Sequence, residues 1–338
     1  KRDFGKPLIE KVLRELDLTY VVNTAGAFIP GHDTPTVLVF GRNSKLDLTA
    51  PRGKVLAVLA RHGEPGVPPT PSEGLVWRSI VDHAREVGFE NEYISVEEVE
   101  RSVFDKHPWT LEGGGASVLR ELLEQSAASV LAMTVDSIGI SSFTLEDEVY
   151  IRPLLSWQRA GLSSVYYRKM IIGETLRDWS LDECDFSLFP YDSNLAPLRA
   201  PEHPAAIKAL WPWQSTLSNN ILFGGKTKLE GGLKWYEFGR LTAHKLQTPL
   251  SIAFAFVATH NHFVLERDRC VFNRSAPVVK LPSGASEDSH LGLLGLLNSS
   301  IACFWCQQVM HNKGGPGGGS SKDEKWHDFF DFAGTALA

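Results

Sequence analysis

The sequence has little cysteine, no long hydrophobic run and no excess of positive charge. Four cysteines in 338 residues are too few for a disulfide scaffold, so we expect free thiols and a reducing, cytoplasmic location. The longest apolar stretch, 291–305, is interrupted by Asn298, Ser299 and Ser300. It falls short of the roughly 20 residues that span a bilayer, so we expect no membrane contact.

The charge balance and the missing motifs exclude several classes of function. A formal net charge of −6 gives no basic footprint over the whole chain, so nucleic-acid binding would have to come from local patches. A serine nucleophile elbow, a Walker lysine loop and a dinucleotide fingerprint are all absent from the sequence. Their absence removes the hydrolase, nucleotide-hydrolysing and dehydrogenase functions that need them.

What is present is a mixed pattern of helices and strands. The N-terminal part favours a helix over 7–16, strands over 18–23, 36–40 and 55–59, and a Pro-rich segment over 64–71. Amphipathic helices are predicted further along the chain, over 76–86, 116–125 and 289–311. Short strands alternate with turns in the second half, over 149–151, 169–172, 252–258, 263–265 and 278–281. The pattern predicts an α/β part followed by an α+β part.

Segments along nearly the whole chain resemble one family of proteins. The longest is residues 17–42, DLTYVVNTAGAFIPGHDTPTVLVFGR. Shorter segments continue the resemblance: Gly63-Glu64-Pro65, residues 74–77 (GLVW), 107–116 (HPWTLEGGGA), 138–140 (IGI), 146–150 (EDEVY), 189–191 (FPY), 235–237 (WYE) and 296–300 (LLNSS). In these segments the chain resembles the adenine-specific DNA methyltransferases of phage-growth-limitation systems, the BREX type 2 class.

The resemblance implies a Rossmann-like methyltransferase sheet, of which only one edge is expected here. The family has a Gly-rich loop for S-adenosylmethionine after its first strand and an Asn-Pro-Pro-Tyr turn after its fourth. No such turn occurs in this sequence, and the Gly clusters at 113–115 and 314–319 do not lie between a predicted strand and a helix. In the family order, 18–23 is the sixth strand and 36–40 the antiparallel seventh. With the fifth strand missing, we expect a bare edge and either self-association or disorder near residues 1–45.

The resemblance also implies a division of the chain and a function. Residues 1–63 would be the C-terminal edge of the catalytic domain, 64–125 a Pro-rich linker and helical connector, and 126–338 a target-recognition, DNA-binding domain. The implied function is that of a site-specific, S-adenosylmethionine-dependent adenine DNA methyltransferase of an anti-phage system, here as its C-terminal part. The implied partners are double-stranded DNA and other phage-defence proteins. The alternative is a non-catalytic module that binds DNA or a defence partner.

No catalytic, cofactor-binding or metal-binding residue is assigned, because S-adenosylmethionine is expected only in the intact parent. The loop after the first strand could still face the active site or the DNA, since ligands gather at the carboxyl ends of parallel strands. Alternatively, its Gly and Pro residues only shape a tight connection. The residues of this loop that we expect on the active-site face are Phe28, Gly31, His32 and Thr34.

The strongest candidate for DNA contact is the stretch 224–247, which mixes flexible glycines with cations and aromatics. Cations contact phosphates and fix register, whereas polar side chains at base edges read sequence. A solvated charged loop would have a similar composition. Trp211 and Trp213 are interpreted as packing anchors, with base-stacking platforms as the alternative. The predicted DNA contacts are Lys226, Lys228, Lys234, Tyr236, Arg240, His244 and Lys245, with Lys313 beside the Gly-rich loop at 314–321, which we expect to be mobile.

Two groups of residues have a partial likeness to metal sites. Cys303 and Cys306 lie near His311, but a structural zinc site needs four ligands and no second pair is spaced to complete it. His260 and His262 would point to the same side of a strand, without a carboxylate at metal spacing. We therefore predict buried thiols on a helix, histidines in solvent or in satisfied core positions, and no metal.

Overall fold

The computed structural model describes residues 5–31, 36–45, 53–314 and 328–338, which fall into two compact units. Unit 1 contains Lys1–Ala128, Ala258–His260 and Cys303–Phe332, and unit 2 contains Ser129–Val257, Asn261–Ala302 and Ala333–Ala338. Both units mix helices with small sheets, which confirms the mixed α/β character predicted from the sequence. His32, Thr34 and the Gly-rich segment 315–321 lie outside the described residues.

Unit 1 is built on a four-stranded sheet in the order β2-β1-β3-β4. Its strands are β1 (Leu16–Asn23), β2 (Val37–Lys45), β3 (Lys54–Ala60) and β4 (Ile94–Glu100). β1 is parallel to β3, and the other neighbours are antiparallel. The strands predicted at 18–23, 36–40 and 55–59 are therefore confirmed. Within the described ranges β2 pairs only with β1, as the predicted bare edge requires, and its apolar residues Val37 to Phe40 are exposed.

The sheet of unit 1 is buried on both faces. β3 alternates regularly, with Val55 and Leu59 packed in one cluster and Val58 packed in the other. β1 has a bulge between Leu18 and Tyr20, so its alternation shifts by one residue there. One face is covered by α2 (Leu75–His83) and the other by the segment around a single helical turn, Arg101–Asp105. Burial on both sides explains the nearly continuous apolar sequence of β3.

The boundary predicted at residue 64 is not a boundary of a compact unit. β4, which lies in the predicted connector, pairs along its whole length with β3. The sequence conceals this strand, because its second half carries Glu97, Glu98 and Glu100 on an edge that faces solvent in part. The predicted helices of the connector are present as α2 and as α3 (Ala116–Ser126). Residues 1–128 therefore belong to one unit, which also takes in 258–260 and 303–332 from the predicted third domain.

The Glu64 carboxylate joins two segments of the family resemblance. Its oxygens accept hydrogen bonds from the backbone amides of Leu75 (2.9 Å) and Val76 (2.7 Å), at the start of α2. Glu64 is buried, and a Cβ at Gly74 would lie 2.5 Å from its Oε1 atom. The segments 63–65 and 74–77 therefore form one helix cap, in which a carboxylate meets the positive end of the helix dipole.

Replacement of this cap should destabilise unit 1 markedly. We expect Glu64→Ala to lower the free energy of unfolding by about 2 to 3 kcal/mol, because two amides lose a charged acceptor in a buried place. Urea denaturation measures the difference. Glu73→Ala, at an exposed neighbouring carboxylate, is the control and should change stability by no more than about 0.5 kcal/mol. Equal effects of the two substitutions would contradict the capping role.

The remaining parts of unit 1 depart from the sequence-based expectations in two places. The first helix is present over residues 5–15, but only α1 (Gly5–Pro7) is α-helical, and wider and tighter turns follow at Leu8–Val12 and Leu13–Glu15. The glycines 113–115 do lie between an extended segment and a helix. Glu112 bridges Ala60 at the end of β3, and α3 begins at Ala116. The sequence did not predict this extended segment, because a single β-bridge is too short to show an alternation of apolar and polar residues.

Unit 2 contains short helices around several small sheets. Single helical turns occur at Leu131–Met133, Ser164–Tyr166, Gly173–Thr175 and Trp211–Trp213. The first half has β5 (Ser137–Gly139), β6 (Ser142–Phe143), α4 (Asp147–Tyr150), β7 (Ile151–Arg152), α5 (Leu154–Arg159), β8 (Tyr167–Ile171), β9 (Leu176–Arg177), β10 (Ser180–Leu181), β11 (Phe186–Leu188), α6 (Pro204–Leu210) and α7 (Gln214–Asn219). The second half has β12 (Arg240–Leu241), α8 (His244–Gln247), β13 (Ser251–Phe254), β14 (Val257–Ala258), β15 (Phe263–Glu266), β16 (Val271–Phe272), β17 (Val278–Lys280), α9 (Glu287–Leu297) and α11 (Gly334–Leu337).

The strands of unit 2 other than β14 form two four-stranded sheets, in the orders β16-β8-β11-β7 and β15-β13-β17-β5, and two strand pairs, β10-β9 and β12-β6. Those predicted at 169–172, 252–258, 263–265 and 278–281 are confirmed, with β13 and β14 sharing the second range. The strand predicted at 149–151 is wrong, because α4 extends through Tyr150 and only Ile151 is extended. The EDEVY segment starts α4 with acidic residues, which favour the first turn of a helix.

The predicted single helix over 289–311 is two helices. α9 ends at Leu297, and α10 (Ser300–Val309) follows. The break is at Asn298, whose side chain accepts from the amide of Phe263 (3.0 Å) and donates to its carbonyl (2.8 Å). Among the residues that the structure describes, no single helix is long and apolar enough to cross a membrane, and α9 and α10 reach that length only when joined across their break. In unit 1, β18 (His311–Gly314) pairs with β19 (Phe329–Asp331).

Candidate nucleic-acid interface

Several resemblance segments of unit 2 meet in one buried aromatic cluster. The hydroxyl of Tyr150 donates to the carbonyls of Tyr236 (3.0 Å) and Glu237 (3.1 Å). The hydroxyl of Tyr191 accepts from the amide of Phe238 at 2.9 Å. The ring of Phe238 meets the rings of both Tyr150 and Tyr191 edge to face. The segments 146–150, 189–191 and 235–237 therefore form the core of unit 2.

Three of the predicted DNA contacts are in the interior rather than on the surface. Lys228 is 0% exposed, and its ammonium donates to the carbonyl of Glu237 at 2.7 Å. The hydroxyl of Tyr236 donates to the carbonyl of Leu198. Lys245 is buried in α8, where burial and the neighbouring Arg240 lower the pKa of its ammonium. Because these side chains are buried, they are not available to phosphates. The local sequence composition does not show which side chains of a loop turn inward.

The buried Lys228 should give the stability of unit 2 a measurable dependence on pH. Burial lowers the pKa of this ammonium to about 8, from 10.5 in an unfolded chain. Between these values the unfolded chain binds more protons, so the free energy of unfolding rises with pH and the gain is lost as pH falls through about 8. We expect Lys228→Met to remove up to about 1.4 kcal/mol of this rise per pH unit.

Urea denaturation of both proteins at about pH 7.5, 8.5 and 9.5 measures the two slopes. Lys280, whose pKa burial also lowers to about 8, should preserve part of the slope in the variant. Lys208→Met, at an exposed lysine of α6, is the matched control and should leave the slope unchanged. A slope that Lys228→Met leaves unaltered would contradict the lowered pKa of Lys228 in the folded chain.

A loop between α7 and β12 carries the most exposed large apolar side chain among the described residues. The amide of Leu222 donates to the carbonyl of Lys226 (2.8 Å), and the amide of Gly225 donates to the carbonyl of Leu222 (3.0 Å). Gly224 and Gly225 have φ angles of 110° and 81°, in the region that favours glycine. This tight turn places Phe223 at the tip of the loop, where it is 94% exposed.

Beside Phe223 lies a second aromatic ring with a cation over it. Phe143 in β6 has its ring centroid 6.4 Å from that of Phe223. The guanidinium of Arg274 lies 5.2 Å from the centroid of the Phe143 ring. On the paired strand β12, Arg240 is the register partner of Phe143. The strand pair β6 and β12 thus brings residues from three distant parts of the sequence to one place.

These residues make a surface that is both aromatic and positive. We call Phe143, Phe223, Lys226, Arg240 and Arg274 the Phe223 patch. Its three cations are exposed, and none of them makes an ion pair with a carboxylate among the described residues that is shorter than 4 Å. A surface of this kind suits nucleic acid, because cations hold phosphates and aromatic rings stack on bases. It is a local basic patch on a chain with net charge −6.

The other predicted DNA contacts lie outside the patch. Lys234 is exposed, but its ammonium lies over the ring of Tyr236 and donates to the carbonyl of Leu198 at 3.3 Å. His244 is exposed on α8. Lys313 belongs to unit 1 and lies 4.0 Å from the carboxylate of Asp331. Of the sequence-predicted residues, therefore, only Lys226 and Arg240 belong to the Phe223 patch.

The loop after β1 is anchored in unit 1 where it begins. The side chain of Asn23 donates to the carbonyl of Leu111 (2.8 Å), and Thr24 binds the carbonyl of Thr36 through its amide (3.0 Å) and its hydroxyl (2.9 Å). Phe28 is half-buried, and Gly31 has a φ of 68° with open space around it. The predicted role of this loop in facing the active site stays a prediction.

The remaining candidates are consistent with structural roles. Cys303 and Cys306 lie on α10, and burial raises the pKa of the Cys306 thiol to about 12. A carboxylate does approach His262, contrary to the sequence-based reading, because Asp178 lies 2.8 Å from its Nδ1 atom. Trp213 packs on the guanidinium of Arg152 at 4.5 Å, as predicted for an anchor.

Trp211 differs from Trp213, since its ring is largely exposed and meets only the edge of Trp235, at 5.9 Å. A cavity of about 490 Å³ lies on unit 2, lined mainly by residues 135–140 and 333–335. Arg240 also lines this cavity, so one patch cation is shared between the two surfaces. The rest of the lining is mostly apolar or small, and it suggests no chemistry.

The comparison with known proteins identifies one long relative. The chain is 37% identical, over an alignment of 343 residues, to the adenine-specific methyltransferase PglX of Streptomyces coelicolor. The alignment covers 100% of this chain and 28% of that protein, so the chain spans less than a third of the relative's length. This identity confirms the resemblance seen in the sequence. No family model matches the chain.

Two solved structures are similar at a lower level. One is the type IIL restriction-modification enzyme MmeI in complex with DNA, with a TM-score of 0.46 and 10% identity, covering 94% of this chain and 34% of that one. The other is the type IIG restriction endonuclease BpuSI, with a TM-score of 0.37 and 10% identity, covering 97% and 39%. Both TM-scores are too low to establish a shared fold.

Proposed function

We propose that this chain is the DNA-recognition portion of an adenine-specific, S-adenosylmethionine-dependent DNA methyltransferase of an anti-phage system of the BREX type. The observation that carries the proposal is the 37% identity, over the whole chain, to a methyltransferase of that specificity. In the proposed enzyme, unit 1 forms the edge of the catalytic sheet and unit 2 binds the target DNA. The partners are double-stranded DNA and other proteins of the defence system.

The Phe223 patch supplies a surface for the proposed DNA contact. Lys226, Arg240 and Arg274 would hold backbone phosphates, which fixes the orientation of the protein on the duplex. Methyl transfer to an exocyclic amine requires the target base to leave the stack, so a recognition unit has to hold a distorted duplex. Aromatic rings beside cations, as at Phe143 and Phe223, suit such a duplex because they can contact exposed base faces.

The residues described do not fit the cofactor of the proposed parent. The polar side chains at the carboxyl end of β1, Asn23 and Thr24, are engaged by backbone groups of the same chain. S-adenosylmethionine therefore belongs, in this proposal, to residues of the parent that this chain does not contain.

The proposal is tested by the binding of the whole chain to DNA without any cofactor. The probe is a fluorescein-labelled duplex of about 30 base pairs, and the measurement is fluorescence anisotropy over a series of salt concentrations. We expect the logarithm of the affinity to fall linearly with the logarithm of the salt concentration, by about 0.9 for each phosphate held. No binding even at the lowest salt concentration would overturn the proposed DNA-recognition role.

The second arm concerns catalysis. Radiolabelled S-adenosylmethionine is incubated with the chain and the same duplex, and transfer of label to DNA is counted. We expect no transfer above a protein-free control, because the sequence lacks the catalytic turn. Transfer of label would show a complete active site and overturn the assignment of this chain as a recognition portion.

A further inference from the structure

Phe223 is exposed to solvent at the tip of a loop that is hydrogen-bonded to the core of unit 2. An aromatic side chain that is 94% exposed makes almost no contribution to the core, and hydration of its ring is unfavourable. Among the described residues, its one ring neighbour is Phe143, whose tilted ring lies 6.4 Å away between centroids. The exposed ring of Phe223, which we call the apolar probe, is therefore free to contact a partner.

The base of the loop is rigid. Ile221 bridges Thr227, and the amide of Lys228 donates to the carbonyl of Asn220 at 2.9 Å. The amide and hydroxyl of Thr227 both donate to the carboxylate of Glu230, at 2.8 and 2.9 Å. The Lys228 side chain then fixes the loop to the core through the carbonyl of Glu237. A probe on a rigid support loses little conformational entropy on binding, which favours its use as a contact.

The charges around the probe identify the class of partner. Lys226 lies on the same loop, and Arg274 and Arg240 are placed by Phe143 at its side. An apolar tip surrounded by cations matches a duplex, whose phosphates flank an apolar stack of bases. Proteins that kink or open DNA insert apolar wedges of this type between base steps while cations hold the backbone.

We propose that Phe223 is a wedge that inserts into the base stack of duplex DNA bound to unit 2. Its insertion unstacks one base step while Lys226, Arg240 and Arg274 hold the flanking phosphates. The inference rests on the proposed DNA-recognition function and adds to it the residue that distorts the duplex. Insertion costs less where the stack is already weakened, so the wedge gives the chain a preference for a mismatched duplex over a matched one.

The experiment compares two duplexes of about 30 base pairs that differ only in one central mismatch, with 2-aminopurine beside the mismatch position. The whole chain is titrated, and anisotropy gives the affinity while 2-aminopurine emission reports unstacking. We expect the wild-type chain to bind the mismatched duplex roughly tenfold more tightly than the matched one, because the mismatch lowers the cost of unstacking. This is within the range of about 5- to 150-fold by which stacking on one base strengthens binding. The wild-type chain should also raise the 2-aminopurine emission.

Phe223→Ala should abolish both the preference and the rise in emission, and Phe223→Trp should retain them. Leu229→Ala, at another exposed apolar residue (54%) close to the loop, is the matched control and should behave as wild type. Equal melting temperatures would show that Phe223→Ala leaves the fold intact. If Phe223→Ala binds with the preference unchanged, or if the wild-type chain has none, the wedge is overturned while DNA recognition stands. If the wild-type chain binds neither duplex, both proposals fail.

Discussion

Reversal of charge at Arg240 and Arg274 together should weaken DNA binding roughly 100-fold at about 0.1 M salt. With a slope of about 0.9 per phosphate, each contact that is lost lowers the affinity roughly eightfold at this concentration, and a carboxylate in its place adds repulsion. Both side chains are exposed, so the substitutions leave the core of unit 2 untouched. Anisotropy titrations of Arg240→Glu with Arg274→Glu measure the loss.

The salt dependence distinguishes loss of phosphate contacts from loss of structure. We expect the slope of the logarithmic plot to fall by about 1 for each arginine. Arg159→Glu and Lys208→Glu change the net charge of the chain by the same amount at exposed residues outside the Phe223 patch. A double variant of these two that loses as much affinity as the patch variant would show that net charge, and not the patch, governs binding.

The candidate site was predicted from sequence only in part, because side-chain direction depends on tertiary contacts. The stretch 224–247 was selected for its cations and aromatics, and Lys226 and Arg240 are indeed exposed there. Lys228 lies two residues after Lys226 and is fully buried, a difference that composition does not show. Phe143 and Arg274 were missed, since they come from other parts of the chain and meet Arg240 only through the pairing of β6 with β12.

Phe223 could have been recognised from the sequence by its immediate neighbours. A phenylalanine directly before Gly224-Gly225 has no side chains on the next two residues to pack against. Two consecutive glycines also predict a tight turn, which would place the preceding residue at its tip. The stretch selected for DNA contact started one residue too late, at Gly224. The signal was therefore present in the sequence, although its interpretation required the 94% exposure that the fold produces.

The fold was more predictable where alternation of apolar residues is regular. β1 and β3 have apolar runs with sharp ends, and both were predicted within two residues. β4 was missed because its second half is acidic, and α4 was read as a strand because Val149 and Tyr150 favour strands in isolation. In both cases tertiary contacts determine the secondary structure. β4 pairs with β3, and Tyr150 lies in a helical turn that places its ring in the aromatic cluster.

The resemblance segments have a physical meaning that differs from base recognition. Glu64 caps α2 beside Gly74, and Tyr150, Tyr191 and Tyr236 share one buried hydrogen-bonded cluster. Asn298 binds the backbone of Phe263 where α9 ends. The segments of the family resemblance therefore contain residues that maintain each unit, whereas the Phe223 patch lies at the surface of unit 2. Sequence specificity for DNA can vary on such a surface without loss of the fold.

Substitution of Tyr150 tests this division between supporting and contacting residues. Its ring is fully buried, and burial raises the pKa of its hydroxyl, which donates to two backbone carbonyls. We expect Tyr150→Ala to lower the free energy of unfolding of unit 2 by about 3 to 5 kcal/mol, through the cavity that it leaves. Tyr150→Phe keeps the ring and should cost about 1 to 2 kcal/mol, because the buried carbonyl of Tyr236 loses the hydroxyl donor, whereas that of Glu237 keeps Lys228.

The DNA affinity of Tyr150→Phe decides the role of the residue, since this variant should remain folded at room temperature. A supporting residue predicts an unchanged affinity and an unchanged salt slope, whereas Arg240→Glu with Arg274→Glu loses both without a change in stability. Tyr167→Phe, at a half-buried ring on the edge of the same cluster, is the control for the loss of a hydroxyl. A Tyr150→Phe chain of nearly normal stability that binds DNA tenfold more weakly would place the aromatic cluster, and not the Phe223 patch, at the DNA interface.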